Sequence, residues 1–268
     1  KGILVKGSSY MDTLAKVGTM VFDKTGTLTC GEFAVEAVHP EDFDEKELLH
    51  LAAHVEHFST HPIGEALRAA FPNEATDGCR ITDVEEIAGQ GIRANVGGRI
   101  VCVGNPKMMD NVGAKWHECH HIGTIIHVAV DGTYAGHIII NDRIKEDSPA
   151  AIASLKRLDV EQTVMLTGDR KEVAENVAGK LGLDAYHAEL LPTDKVKYLE
   201  RLLAEKAEGK SLAFVGDGIN DAPVLKRADI GIAMGGLGSD AAIEAADVVL
   251  MDDQPSKIAV AIRIARRT

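Results

Sequence analysis

Aromatic residues make up only 4% of these 268 residues, so aliphatic side chains must build the core. Cysteine is sparse as well. Cys30, Cys79, Cys102 and Cys119 are scattered and form no CxxC pair, which excludes a disulfide framework and points to reduced thiols in a cytoplasmic compartment. Positive charge is in short supply: 29 Lys and Arg face 41 Asp and Glu, a formal net charge of −12. Such a surface repels phosphate backbones and anionic headgroups, which argues against a nucleic-acid partner. It does not exclude ATP, because a site can be locally positive and Mg²⁺ neutralises a triphosphate. No apolar run reaches the ~18 residues of a membrane helix, so direct membrane insertion is not expected. No signal peptide precedes the first element, and the chain begins at Lys1, as a segment of a longer protein would.

What is present fits a packed globular protein, with 45% hydrophobic and 26% charged residues. The second half alternates strand and helix patterns. Val164-Met165-Leu166 reads as a buried strand, followed by a helix with Val173, Val177 and Leu181 on one stripe and Gly182 at its end. Pro192 opens the next helix, with Val196, Leu199 and Leu203 on its apolar stripe. Leu212–Val215, Ile230–Ala233 and Val248–Met251 are further strands, Pro255 opens a last helix, and Ser148 reads as the N-cap of another. This series predicts a parallel sheet covered on both faces, joined by Thr19–Phe22 near the N-terminus.

The middle is different. Glu45–His57 and Ile63–Phe71 read as helices. Five strand patterns follow, at 81–87, 92–96, 100–103, 125–130 and 134–140, with hairpin signals at Gly97-Gly98 and Asp131-Gly132. The expected organisation is therefore an α/β domain at 1–33 and 141–268, interrupted at 34–140 by an α+β domain on an antiparallel sheet.

Three polar motifs end predicted parallel strands, where ligands bind in such sheets. They are Asp23-Lys24-Thr25-Gly26-Thr27-Leu28-Thr29, Thr167-Gly168-Asp169 and Gly216-Asp217-Gly218-Ile219-Asn220-Asp221. A single Gly-Asp at a strand end is ordinarily a turn. Three carboxylate-bearing loops converging on one edge make a Mg²⁺ and phosphate site, since Mg²⁺ takes oxygen ligands.

Together these motifs resemble the signatures of P-type ATPases, within the haloacid-dehalogenase-like superfamily, and the resemblance covers the whole chain. It implies that Asp23 is the nucleophile that becomes an aspartyl-phosphate, followed in its motif by Lys24. Asp23, the Thr25 carbonyl and Asp217 would hold Mg²⁺. Thr27, Thr167, Gly168 and Lys195 would contact phosphate oxygens, with Asp169, Asn220 and Asp221 completing the site. A carboxylate is a workable nucleophile for phosphoryl transfer, and Lys195 would spread the developing charge. A lysine on a helix is otherwise ordinarily solvated. Phosphatases of the superfamily carry a second Asp where this chain has Thr25, so prompt hydrolysis of a phosphoenzyme is not expected. A stand-alone phosphatase and a non-catalytic nucleotide-sensing module remain the alternatives.

In the middle domain, His61-Pro62 at a helix start and the Gly89-Gln90-Gly91 and Gly104-Asn105 pairs are weak singly. Together they resemble the nucleotide-binding domain of heavy-metal pumps, the type IB group. That resemblance implies Glu56, His61, Gly89, Gly91, Ile92, Gly104 and Asn105 as ATP contacts, although the family's usual Ser-Glu-His-Pro-Leu is here Ser59-Thr60-His61-Pro62-Ile63. It also implies the membrane and actuator domains of the same pump as partners, at the cytoplasmic side of a cell membrane. The stretch Ala233–Asp240 looks more like zinc, cadmium and lead exporters than copper pumps. The cluster His117, Cys119, His120, His121 has ligand chemistry but no trusted zinc spacing, and reads as a polar surface loop between strands.

Overall fold

A computed structural model describes residues 2–57, 59, 61–72, 77–218, 221–235 and 240–268. The chain opens with strand β1 (Ile3–Val5), helix α1 (Ser9–Ala15) and strand β2 (Val17–Asp23). Next come β3 (Thr29–Pro40), α2 (Glu45–Val55), α3 (Pro62–Ala70), β4 (Ile81–Ile87), β5 (Gly91–Val96), β6 (Arg99–Gly104), α4 (Pro106–Val112), β7 (Thr124–Val130) and β8 (Thr133–Ile144). The remainder alternates: α5 (Ser148–Arg157), β9 (Gln162–Leu166), α6 (Lys171–Leu181), β10 (Ala185–His187), α7 (Pro192–Glu205), β11 (Ser211–Gly216), α8 (Ala222–Arg227), β12 (Ile230–Met234), α9 (Asp240–Ala245), β13 (Val248–Leu250) and α10 (Ser256–Ala265). These elements form two compact units, one of Lys1–Gly31 with Ile144–Thr268 and the other of Glu32–Arg143. Among the described residues, no helix is long and apolar enough to cross a membrane.

The first unit holds a seven-stranded sheet in the order β1-β13-β12-β11-β2-β9-β10. Neighbours from β13 to β10 pair in parallel, and β1 adds an antiparallel edge that the sequence patterns do not announce. β2 lies between β11 and β9 and is buried throughout. Its alternation supplies both faces: Met20 and Phe22 pack with Ala213, Val215 and Ile232, whereas Val21 packs with Val164, Leu212 and Phe214. Each such large side chain contributes roughly 1.5–3 kcal/mol by leaving water. The expected α/β fold with a parallel sheet and a second, antiparallel sheet is what the molecule has.

The second unit carries a six-stranded sheet in the order β3-β8-β7-β6-β5-β4, antiparallel through β4 to β8. On β6, Val101 and Val103 face Leu48 and Leu51 of α2 and Leu67 of α3, and Cys102 faces Met108 and Met109 of α4. Local chemistry sets the helix starts. The Asp44 carboxylate accepts from Glu47 N at 2.8 Å, His61 and Asn105 cap α3 and α4, and Pro62 and Pro106 follow them. α5 departs from expectation. Asp147, not Ser148, is its N-cap, because Ser148 Oγ is used inside the molecule, donating to the Leu28 carbonyl at 2.8 Å.

Candidate active site

The C-terminal ends of three adjacent parallel strands, β11, β2 and β9, deliver the three motifs to one edge of the first sheet. β2 ends at Asp23. The chain then turns sharply, with Thr25 extended and Gly26 at φ 73°. Glycine is required there twice over: the left-handed conformation disfavours other residues, and a Cβ would run into the Asp217 carboxylate. Lys145 Nζ donates to the Gly26 carbonyl at 2.7 Å and pairs with Asp253 at 2.9 Å, holding the turn from its other side. Thr29 Oγ1 donates to the Lys24 carbonyl at 3.1 Å.

Asp23 is 8% exposed. Its Oδ1 accepts from Lys195 Nζ at 2.5 Å, and Lys195 reaches Asp221 Oδ1 at 3.2 Å. Lys195 stands in the first turn of α7, placed by Pro192 at the helix start. Carboxylate oxygens of Asp23, Asp217 and Asp221 lie within 4.8 Å of one another. Burial, and then the Asp221 charge, push Asp23 up to about 7 despite Lys195, and push Asp217 up to about 6. Burial alone would lower Lys195, but Asp23 and Asp221 outweigh it and raise the ammonium above its usual range.

The remaining motif residues separate into two groups. Lys24 is buried and pairs with Asp169 Oδ2 at 2.8 Å, fastening the loop after β9 to the loop after β2. Asp169 N donates to Thr167 Oγ1 at 3.1 Å, and Leu190 N donates to the Thr167 carbonyl, so the ends of β9 and β10 are tied together. Lys24 and Asp169 thus act as ties between loops. Thr27 is different: its Oγ1 is buried with no hydrogen-bond partner among the described residues. Gly168 is exposed at the mouth of the edge. Asn220 lies outside the described residues.

In the second unit, Glu56 is buried just past the end of α2, and burial raises its carboxyl despite Ser59, His61 and Arg68. Arg68 donates to the Glu56 and Ser59 carbonyls at 2.5 and 3.0 Å, fixing the turn into α3. His61 is exposed, and its Nδ1 accepts from Ile63 N at 3.2 Å. The glycines collect at one end of the sheet. Gly91 and Gly104 are directly opposite, and a Cβ on either would strike the other strand's backbone. Asn105 Nδ2 donates to the Gly89 carbonyl at 2.8 Å. Ile92 pairs across the sheet with Glu86, whose charge Glu56 feels, so the helical and glycine groups border one another. Lys145, Arg68 and Glu86 escaped the sequence reading, since a lone charged residue outside a motif carries no local signal.

The His117–His121 segment follows α4 rather than another strand. His117 pairs with Glu41 at 2.9 Å and rests edge-on to Tyr134 and His137, while His121 leans on His39. Among the described residues, these side chains do not bring three ligand atoms together.

A parallel sheet in this order, with a buried carboxylate at the end of a central strand, a lysine from a neighbouring helix and further aspartates from the adjacent loop, defines a Rossmann-like α/β domain with an acidic site at its strand ends. The chain belongs to the haloacid dehalogenase-like hydrolase family, whose family model matches residues 17–229. Its relatives include metal-transporting ATPases. It is 56% identical over 268 residues to a zinc-transporting ATPase of Synechocystis sp., covering 100% of this chain and 37% of the relative. It is 54% identical over the same length to a cadmium, zinc and cobalt-transporting ATPase of Bacillus subtilis, covering 38% of that protein. The crystal structure of a zinc-transporting PIB-type ATPase in its E2.Pi state superposes with a TM-score of 0.88 at 36% identity, over 100% of this chain and 44% of that one. The chain therefore spans less than half the length of these relatives.

Proposed function

We propose that this chain is the ATP-binding and phosphorylated part of a heavy-metal cation pump, with Asp23 as the phosphoryl acceptor. The observation that carries the reading is the Asp23 carboxylate held at 2.5 Å by Lys195, on the strand end flanked by Asp217 and Asp221. The 32–143 unit is the nucleotide holder, through Glu56, His61 and the glycine-rich sheet end with Gly89, Gly91, Ile92, Gly104 and Asn105.

The donor set fits Mg²⁺. It is all oxygen, and three carboxylates face one ammonium, leaving a net negative charge for a divalent ion to neutralise. Asp23, Asp217 and the Thr25 carbonyl would hold the ion, which when bound reduces the repulsion between a carboxylate and a triphosphate. The unpartnered Thr27 hydroxyl fits a phosphate oxygen.

In the reaction an Asp23 oxygen attacks the γ-phosphorus of ATP. The bond to the β-bridging oxygen breaks with its electron pair, and ADP leaves. Asp23 must be ionised to attack, and Lys195 favours that form. Lys195, Thr27, Thr167 and the Gly168 backbone then face the charge developing on the transferred group. Thr25 stands where the superfamily's phosphatases carry an acid–base Asp, so the acyl phosphate persists in this unit. In the full pump, the actuator and membrane domains are the partners that use it. The relatives favour zinc and cadmium as transported ions, with the chain on the cytoplasmic side.

Incubation with Mg·ATP labelled at the γ-phosphate tests the reading. Acid-stable, hydroxylamine-labile label on the chain is expected. Rapid turnover of a generic phosphate monoester without such label would favour the phosphatase instead, and ATP binding with neither would leave a nucleotide-sensing module.

A further inference from the structure

Away from Asp23, the described residues contain one other group of metal-ligating side chains, His50, His54 and Cys79, whose ligand atoms lie within 4.8 Å of one another. All three belong to the 32–143 unit. His50 and His54 are one turn apart on α2 and so share a face. Cys79 sits on the segment leading into β4, two residues after Asp77. The Asp77 carboxylate completes the group: its Oδ2 is 2.9 Å from His50 Nε2 and 2.8 Å from His54 Nε2, while its Oδ1 accepts from Cys79 N at 2.9 Å. His50 Nε2 is buried and near Asp77, yet out of alignment for a hydrogen bond. Two imidazoles, a thiol and a carboxylate thus converge on a small volume, and one ring nitrogen there has its hydrogen-bonding capacity unused.

From this convergence we infer that His50, His54, Cys79 and Asp77 form a binding site for a borderline-soft divalent cation of the zinc and cadmium class, separate from the acidic cluster at Asp23. Tetrahedral zinc bonds of about 2.0–2.3 Å put nitrogen and sulfur ligand atoms about 3.3–3.5 Å apart, so the spacing of His50, His54 and Cys79 needs contraction by about 1.5 Å at most. Cys79 is on an irregular segment and His50 is part-exposed, so that contraction does not disturb the sheet. Thiolate and imidazole select against Mg²⁺, whereas the oxygen-only cluster at Asp23 selects for it. Binding forms the metal–sulfur bond as Cys79 releases its proton to solvent, and both histidines coordinate as neutral rings. Asp77 is then either the fourth ligand or the acceptor that orients the histidines. The cation would tie α2 to the segment before β4, on the same helix that ends just before Glu56. The assignment rests on these four residues alone and does not depend on Asp23 chemistry.

Cadmium titration of this chain in excess Mg²⁺ tests the site. The expected result is one tightly bound equivalent with an ultraviolet thiolate-to-cadmium charge-transfer band. C79S should abolish the band and weaken binding at least tenfold. H50Q should weaken it at least tenfold, and because His50 is part-exposed this variant is expected to fold where changes at the buried His54 are not; circular dichroism checks that it does. A wild-type chain with no band, a band that survives in C79S, or H50Q binding cadmium as tightly as wild type would each overturn the assignment.

Discussion

Lys195 is where the chemistry of single residues is most exposed to test. Its ammonium sits between Asp23 and Asp221 in a part-buried site, so removing it leaves carboxylates facing one another without an offsetting charge. K195M should slow phosphate incorporation from ATP about 10²–10³-fold, the usual scale for losing one preorganised electrostatic contact. Quenched time courses would show it, and an unchanged rate would remove Lys195 from the mechanism. At this scale the sequence was legible where residues are bound into motifs. Asp23, Asp217 and Asp221 stand out because they sit in motifs that, taken together, resemble a family's signatures; singly, each reads as an ordinary turn. Lys145 did not, because its contact with Gly26 spans 119 positions and leaves no local trace. Lys24 and Asp169 were legible as motif members, but their pairing with one another was not.

Among the elements, the turn after β2 and the histidine-rich face of the second sheet carry separate predictions. G26A would place a Cβ against the Asp217 carboxylate and force a side chain into the left-handed region. A loss of about 1–3 kcal/mol in stability, with loss of phosphate incorporation, is expected from chemical denaturation and labelling. On the second sheet, burial and then the charges of His39, His127, His117 and His121 depress His137 to about 4. The unfolded chain takes up this proton near pH 6.5 and the folded chain only near pH 4, so stability should fall as pH drops through that window. The effect is on the order of 2–3 kcal/mol, and H137Q should flatten the slope in denaturant titrations at pH 4.5 and 7. Helix and strand identities were readable from period and capping residues, as at Pro192 and Gly182. The long strand β3 was not, since only its first residue is buried and it pairs with β8, about a hundred positions away. Nor was β1, a three-residue edge too short for a pattern to register.

The whole molecule follows from one topological fact: the strand that carries Asp23 is among the first in the chain, yet it lies inside the sheet between strands formed 140 to 200 residues later. Its motif therefore meets the other two only once the full fold is made, with the 32–143 unit inserted between them in sequence. The alternation of strands and helices made the parallel sheet legible, and the hairpin signals did the same for the antiparallel one. The order of strands was not readable, because each strand is buried and apolar in much the same way. The central claim is that a phosphoryl group from ATP comes to rest on Asp23, and its most direct test is to find where the label resides. After reaction with γ-labelled Mg·ATP, acid digestion and mass spectrometry should place a hydroxylamine-labile phosphate on the peptide containing Asp23, and D23N should carry none while still binding ATP. Label on another peptide, or undiminished label in D23N, would contradict the account.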